Sequence, residues 1–103
     1  MSPERADFAR AGDRFSVRGP LTFATVMRLC ELPQAWDAGR GAVTVDLAEV
    51  PRADSAGLAL LLEWLRAAQT QGRALNLVNV PARLRDLMRV TNVADLFPER
   101  QRA

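Results

Sequence analysis

Asp54 and Ser55 stand side by side just ahead of the densest leucine run of the chain, "LALLLEWL" at 58–65, with Ala56 and Gly57 between. A carboxylate next to a hydroxyl admits three chemistries. The pair could cap a helix, because Asp and Ser oxygens accept the backbone N–H groups that a helix start leaves without partners. The hydroxyl could serve as a nucleophile or accept a phosphate. The step could also be where another protein docks, since a helix start presents free donors.

Composition narrows the choice. The chain has no His and no Tyr, and every basic residue is arginine. A serine or cysteine nucleophile therefore has no histidine to act as its general base. Without lysine there is neither a P-loop lysine nor a Schiff base. A lone cysteine, Cys30, without histidine argues against a structural zinc site. No catalytic residue, metal site or cofactor is expected, and the chain reads as a non-enzyme.

The sequence pI of 9.9 suggests nucleic acid, but the net charge is only +2 and Arg alternates with Asp and Glu instead of clustering. Nucleic-acid binding needs a concentrated basic face, so none is expected. No apolar run approaches the roughly 20 residues of a membrane span. The charged start "MSPERADFARAG" lacks the apolar stretch of a secretory signal. With one unpaired cysteine, this points to the cytoplasm.

The elements that must position Asp54 and Ser55 follow from local pattern. Residues 1–12 read as a flexible leader, and 13–103 as one domain. "RFSVR" alternates Phe15 and Val17 against polar neighbours, a half-buried strand. Gly19-Pro20 reads as a turn, with "LTF" either a second hairpin strand or a helix entry. From Thr22, a plausible cap, to Leu32 the spacing of Phe23, Val26, Leu29 and Cys30 is helical, ended by Pro33. "DAGRG" is a loop, and Trp36 covers the core edge. "AVTVDL" (42–47) is rich in β-branched residues and reads as a central strand whose end Asp46 closes with a loop hydrogen bond. Residues 55–71 form the long helix, ended by Gly72. "ALNLV" is a further strand. Pro81 opens a helix over 82–90 in which Asp86 can pair with Arg83, and "VADLFP" ends the fold. Strand–helix–strand passages of this kind predict an α/β fold with parallel pairing.

Projected at about 100° per residue, Leu58, Leu61, Leu62 and Leu65 share one face of the long helix. Leu60, Trp64 and Ala67 widen the apolar arc to roughly 200°, twice what a surface helix needs. Either Leu60 and Trp64 touch a neighbouring helix, or they form an exposed patch for a partner. Taken as an exposed patch, residues 54–64 form a docking edge, with Ser55 at its polar end and Trp64 at its apolar end. Gly57 fits either first-turn backbone freedom or the close approach of a partner.

From "VDLAEVPRADSAGLALLLEWL" through "ALNLVNVPARLRDLM" the chain resembles a STAS domain, the module of sulfate-transporter tails and anti-sigma-factor antagonists. The resemblance runs from about Arg14 to Phe97. It implies a mixed four- to five-stranded sheet packed with three to four helices, and a protein-binding module. In the antagonists a kinase phosphorylates the serine just before the glycine; here that place is Ala56, and Ser55 matches the preceding serine. Ser55 remains the one candidate for phosphorylation, with an anti-sigma factor and a serine kinase as the alternative partners. The step more closely resembles that of the MlaB-like group, the small STAS subunits of bacterial phospholipid ABC transporters that maintain outer-membrane lipid asymmetry. There the order is Asp, hydroxyl, small residue, Gly, Leu. The likeness implies docking on the transporter's cytoplasmic ATPase, and through it on the permease at the inner membrane. Asp54, Ser55, Gly57 and Leu58 carry over by motif, Ala56 fills the small position, and Leu60 and Trp64 come from the helix projection.

Overall fold

A computed structural model describes residues 5–36 and 41–97. Residues 1–4 of the leader and most of the "DAGRG" loop therefore lie outside the described residues. The described chain forms strands β1 (Asp7–Ala11), β2 (Arg14–Arg18), β3 (Val43–Glu49) and β4 (Leu75–Val78), and helices α1 (Val26–Leu29), α2 (Ser55–Thr70) and α3 (Ala82–Val90). Two short 3-10 segments, Leu32–Trp36 and Ala94–Leu96, complete it.

The sheet order is β1-β2-β3-β4, with β1 antiparallel to β2 and the other two pairings parallel. The expected mixed α/β sheet is therefore present with four strands. The hairpin is not where the sequence placed it. Residues 7–11, read as part of a flexible leader, pair with β2 from Asp7↔Arg18 to Ala11↔Arg14. The "LTF" segment instead contributes a single parallel bridge, Leu21↔Ala53. Strand β1 carries two charges and three small or aromatic residues and is largely exposed, so only its ladder with β2 identifies it.

Alternation sets the core. Phe15 and Val17, then Val43, Val45 and Leu47, then Leu75 and Leu77, are buried on the face that meets the helices. Their alternates Arg14, Ser16, Thr44, Asp46 and Asn76 are half-buried or exposed. This is the inward–outward pattern of a sheet covered on one side. Trp36 completes this core, its ring edge-on to Phe15 with centroids 6.4 Å apart.

Helix α2 ends as its sequence predicts. Gly72 takes φ +69°, Gly72 N–H donates to Gln69 and Arg73 N–H to Ala68 at 2.8 Å, which is a Schellman closure. That closure delivers Arg73, almost fully buried, into a clamp the sequence did not reveal. Its guanidinium donates to the carbonyls of Gly41 and Trp36 and pairs with Asp13 at 3.0 Å. One side chain thereby ties the β1–β2 turn to the loop before β3 and to the end of α2.

Candidate functional site

Helix α2 begins on a carboxylate with two tasks. Asp54 sits in extended backbone, and its Oδ1 accepts the Ala56 N–H at 2.8 Å. Its Oδ2 accepts the Phe23 N–H at 3.3 Å, and its own N–H donates to the Leu21 carbonyl at 3.0 Å. The cap thus fastens the segment after β2 to the head of α2. Gly57 serves the same junction. A Cβ there would lie 2.8 Å from the Leu21 carbonyl oxygen and 3.0 Å from Leu21 Cβ. The glycine admits the chain's own backbone, which is a third reading beside the two the sequence offered. Ser55 occupies the first helical position, exposed, and its hydroxyl has no hydrogen bond among the described residues.

The apolar end of the expected docking edge is not at the surface. Leu60 is 3% exposed and Trp64 0%. Trp64 donates its indole N–H to the carbonyl of Leu29, at the end of α1, at 3.0 Å. The wide apolar arc of α2 exists because α2 packs on more than the sheet: α1 and the Leu32–Trp36 segment cover its second flank. Sequence alone could not separate this from an exposed patch, since both put apolar residues at the same angles.

Two of the four large exposed apolar side chains among the described residues lie in the segment next door. Phe23 and Met27 are 84% and 77% exposed, although the helical reading placed Phe23 inward with Cys30, which is also exposed. The helix begins later than its pattern suggests. Thr25 Oγ1 donates to the Pro20 carbonyl at 2.6 Å and accepts the Thr22 N–H, so a turn replaces the first helical turn. The Thr22 hydroxyl finds no partner and caps nothing. Phe23 is thereby turned outward against α2. With Val26, Cys30, Ala56, Ala59, Leu60 and Glu63 it lines an open groove of about 370 Å³. The candidate edge therefore keeps the polar head, Asp54 to Gly57, and Leu60 as part of the groove wall, loses Trp64 to the core, and gains Phe23.

Comparison with known proteins shows the family. The family described as "Mlab, STAS domain" matches residues 4–98. The chain belongs to the MlaB family of STAS domains. It is similar to the intermembrane phospholipid transport system binding protein MlaB of Escherichia coli, 31% identical over 92% of this chain and 97% of that one. Among solved structures, a Thermotoga maritima protein superposes with a TM-score of 0.71 at 13% identity, covering 94% of this chain and 86% of that one. An anti-sigma-factor antagonist (STAS) domain protein from Planctomyces limnophilus gives 0.69 at 19%, covering 96% and 92%. These two likenesses concern the fold.

Two other acidic residues singled out by the sequence make intramolecular contacts. Asp46 lies within β3, not at its end. It accepts from Ala48 N–H at 2.8 Å, from the Asn79 amide at 3.0 Å and from Arg14 at 2.7 Å. Burial pushes its carboxyl up, but the Asn79, Ala48 and Arg14 donors outweigh that and hold it below the usual 3.8. On α3, Asp86 pairs at 2.7 Å with Arg89, one turn after it, and not with the partner expected, Arg83, one turn before it. Among the described residues no group of His, Cys, Asp and Glu could hold a metal ion, and no helix is long and apolar enough to cross a membrane.

Proposed function

We propose that this chain is the STAS subunit of an intermembrane phospholipid transport system. It docks on the cytoplasmic ATPase of that system with the head of α2 and the groove beside it. The observation that carries the reading is the 31% identity, across nearly the full length of both chains, to a protein named as a binding component of such a system. The geometry supplies the means. An exposed aromatic side chain over an apolar groove suits a protein contact, and a rim of Ser55 and Glu63 gives such a contact polar register. Asp54, Ala56, Gly57 and Leu58 shape this edge from behind, and Phe23 and Met27 are its anchors. The subunit adds no chemistry of its own; it would act by holding the ATPase in its assembled form at the inner membrane.

Co-expression with the ATPase and permease of an intermembrane phospholipid transport system from the same organism tests this. The wild-type chain is expected to co-purify with the ATPase. Failure of the chain to bind that ATPase at micromolar concentration would remove the reading.

One observation favours a second reading, that of a partner-switching antagonist: the Ser55 hydroxyl is free and exposed on the first turn of α2, where a phosphate is electrostatically favoured. Against it, the place the antagonist kinases modify is Ala56. Incubation with a cognate serine kinase followed by intact-mass measurement separates the two readings, since a transporter subunit should gain no phosphate.

A further inference from the structure

Phe23 stands exposed at the lip of an apolar groove that it does not close. Closing onto the groove would take phenyl and groove surface out of water, which is favourable. Two restraints hold the chain around the ring. One is the bond from the Phe23 N–H to Asp54. The other is the hydroxyl of Thr25. Thr25 is 4% exposed, one of two buried polar or charged residues among the described ones, the second being Arg73. Its Oγ1 donates to the Pro20 carbonyl at 2.6 Å and accepts the Thr22 N–H at 3.0 Å. Both partners precede Phe23 and Thr25 follows it, so the hydroxyl staples the chain across the ring. A valine would fill the same volume without a polar group to satisfy. The oxygen of Thr25 therefore serves the turn and not the packing. Leu21, just before the turn, is fixed independently: its N–H donates to the Arg52 carbonyl and its carbonyl accepts the Asp54 N–H, both at 3.0 Å. Loss of the Thr25 hydroxyl would thus loosen residues 22–25 and leave the junction with α2 in place.

We infer that Thr25 is a positioning residue for docking: its hydroxyl keeps the 22–25 turn, and with it the Phe23 ring, in the outward arrangement that the partner meets. The inference rests on the ATPase reading for what the ring meets. Thr25 itself lies under the turn and acts only through Phe23. An anchor already held in its bound direction spares part of the ordering cost of association. Without the hydroxyl, the Thr22 N–H and the Pro20 carbonyl lose their shared partner, the turn yields, and the ring settles into the groove. Affinity then falls although no contacting side chain has changed.

Substitutions in the full chain test it. Thr25→Val and Thr25→Ala remove the hydroxyl, and Thr25→Ser keeps it. Val45→Ala, buried in β3 and absent from the groove lining, is the control for lost stability alone. All are compared at a temperature where circular dichroism shows each one folded. In the free chain with ¹³C-labelled phenylalanine, relaxation by a soluble paramagnetic probe reports the exposure of the Phe23 ring. That relaxation should drop toward the value of half-buried Phe8 in Thr25→Val and Thr25→Ala, and keep its wild-type value in Thr25→Ser and Val45→Ala. Affinity for the ATPase should fall at least about tenfold in the two hydroxyl-free variants, the scale of one misplaced anchor, and stay within about twofold in the other two. Unchanged ring exposure in both hydroxyl-free variants, wild-type affinity once the ring has moved, or an equal loss of affinity in Val45→Ala would each overturn the inference. If the wild-type chain does not bind the ATPase, the docking reading falls, and the ring measurement in the free chain still decides whether Thr25 positions Phe23.

Discussion

The backbone N–H of Phe23 donates to the same carboxylate, Asp54, that caps helix α2. The most exposed aromatic side chain among the described residues is thereby anchored to the helix start beside it. Loss of Asp54 should then cost more than a cap. Asp54→Ala is expected to lower stability by about 1–2 kcal/mol, the upper part of the range for cap removal. For a domain of this size that is a fall of roughly 4–8 °C in Tm per kcal/mol. Asp54→Asn keeps one acceptor oxygen and should lose less. Thermal unfolding by circular dichroism checks both, and equal losses in the two variants would rule out the double role.

Gly57 offers a sharper contrast between local and tertiary preference. In an exposed helix, Gly→Ala stabilises by about 1 kcal/mol. Here the new methyl would meet the Leu21 carbonyl at 2.8 Å, and that carbonyl is fixed by the Asp54 N–H. Overpacking against backbone costs about 1–3 kcal/mol. Gly57→Ala should therefore be destabilising on balance in urea unfolding. A variant more stable than wild type would mean that the 20–22 segment can move away without loss.

Asp46 predicts a pH dependence. Its carboxyl titrates below 3.8 in the folded chain because Asn79, Ala48 N–H and Arg14 donors outweigh the effect of burial. A depressed folded value means the unfolded chain binds the proton more readily, so stability falls as acid is added. The contribution is complete above about pH 4, and is lost as pH falls through the folded value. Urea midpoints measured from pH 6 to pH 2.5 should fall less steeply in Asp46→Asn than in wild type. Identical slopes would show that the Arg14–Asp46–Asn79 group does not couple to folding.

The legible parts of this fold were those with local signals. The β-branched run of β3, the Gly72 closure of α2 and Pro81 ahead of α3 each determine their element within a few residues, and the structure places those elements close to the expected bounds. Strand β1 was missed because "DFARA" has no strand pattern of its own and gains its form from pairing with β2. The site was half legible. Asp54, Ser55 and Gly57 were visible as a motif. Which apolar residues face outward was not, because that depends on how α1 lies across α2. A turn of four residues, Thr22–Thr25, decides that Phe23 is exposed, and the bond from Trp64 to the Leu29 carbonyl decides that Trp64 is not. Both are contacts between segments, which periodicity cannot report.

This exchange of residues gives the most discriminating prediction. If the docking surface were centred on Trp64, substitution there would abolish partner binding in a folded chain. With Trp64 fully buried, Trp64→Ala should instead cost about 3–5 kcal/mol and reduce binding only as it unfolds the domain. Trp64→Phe, which keeps most of the ring and loses the bond to Leu29, should cost about 1–3 kcal/mol and leave partner affinity nearly unchanged wherever the chain stays folded. Phe23→Arg and Met27→Arg should do the opposite. Both positions are exposed, so stability should move by no more than about 0.5 kcal/mol. Capture of the ATPase should fall at least about tenfold, because a charge would enter the centre of a desolvated contact. Measuring unfolding midpoints and ATPase affinity on the same four proteins gives the answer. Full affinity in both arginine variants would move the docking surface away from the Phe23 groove, whatever the fate of Trp64.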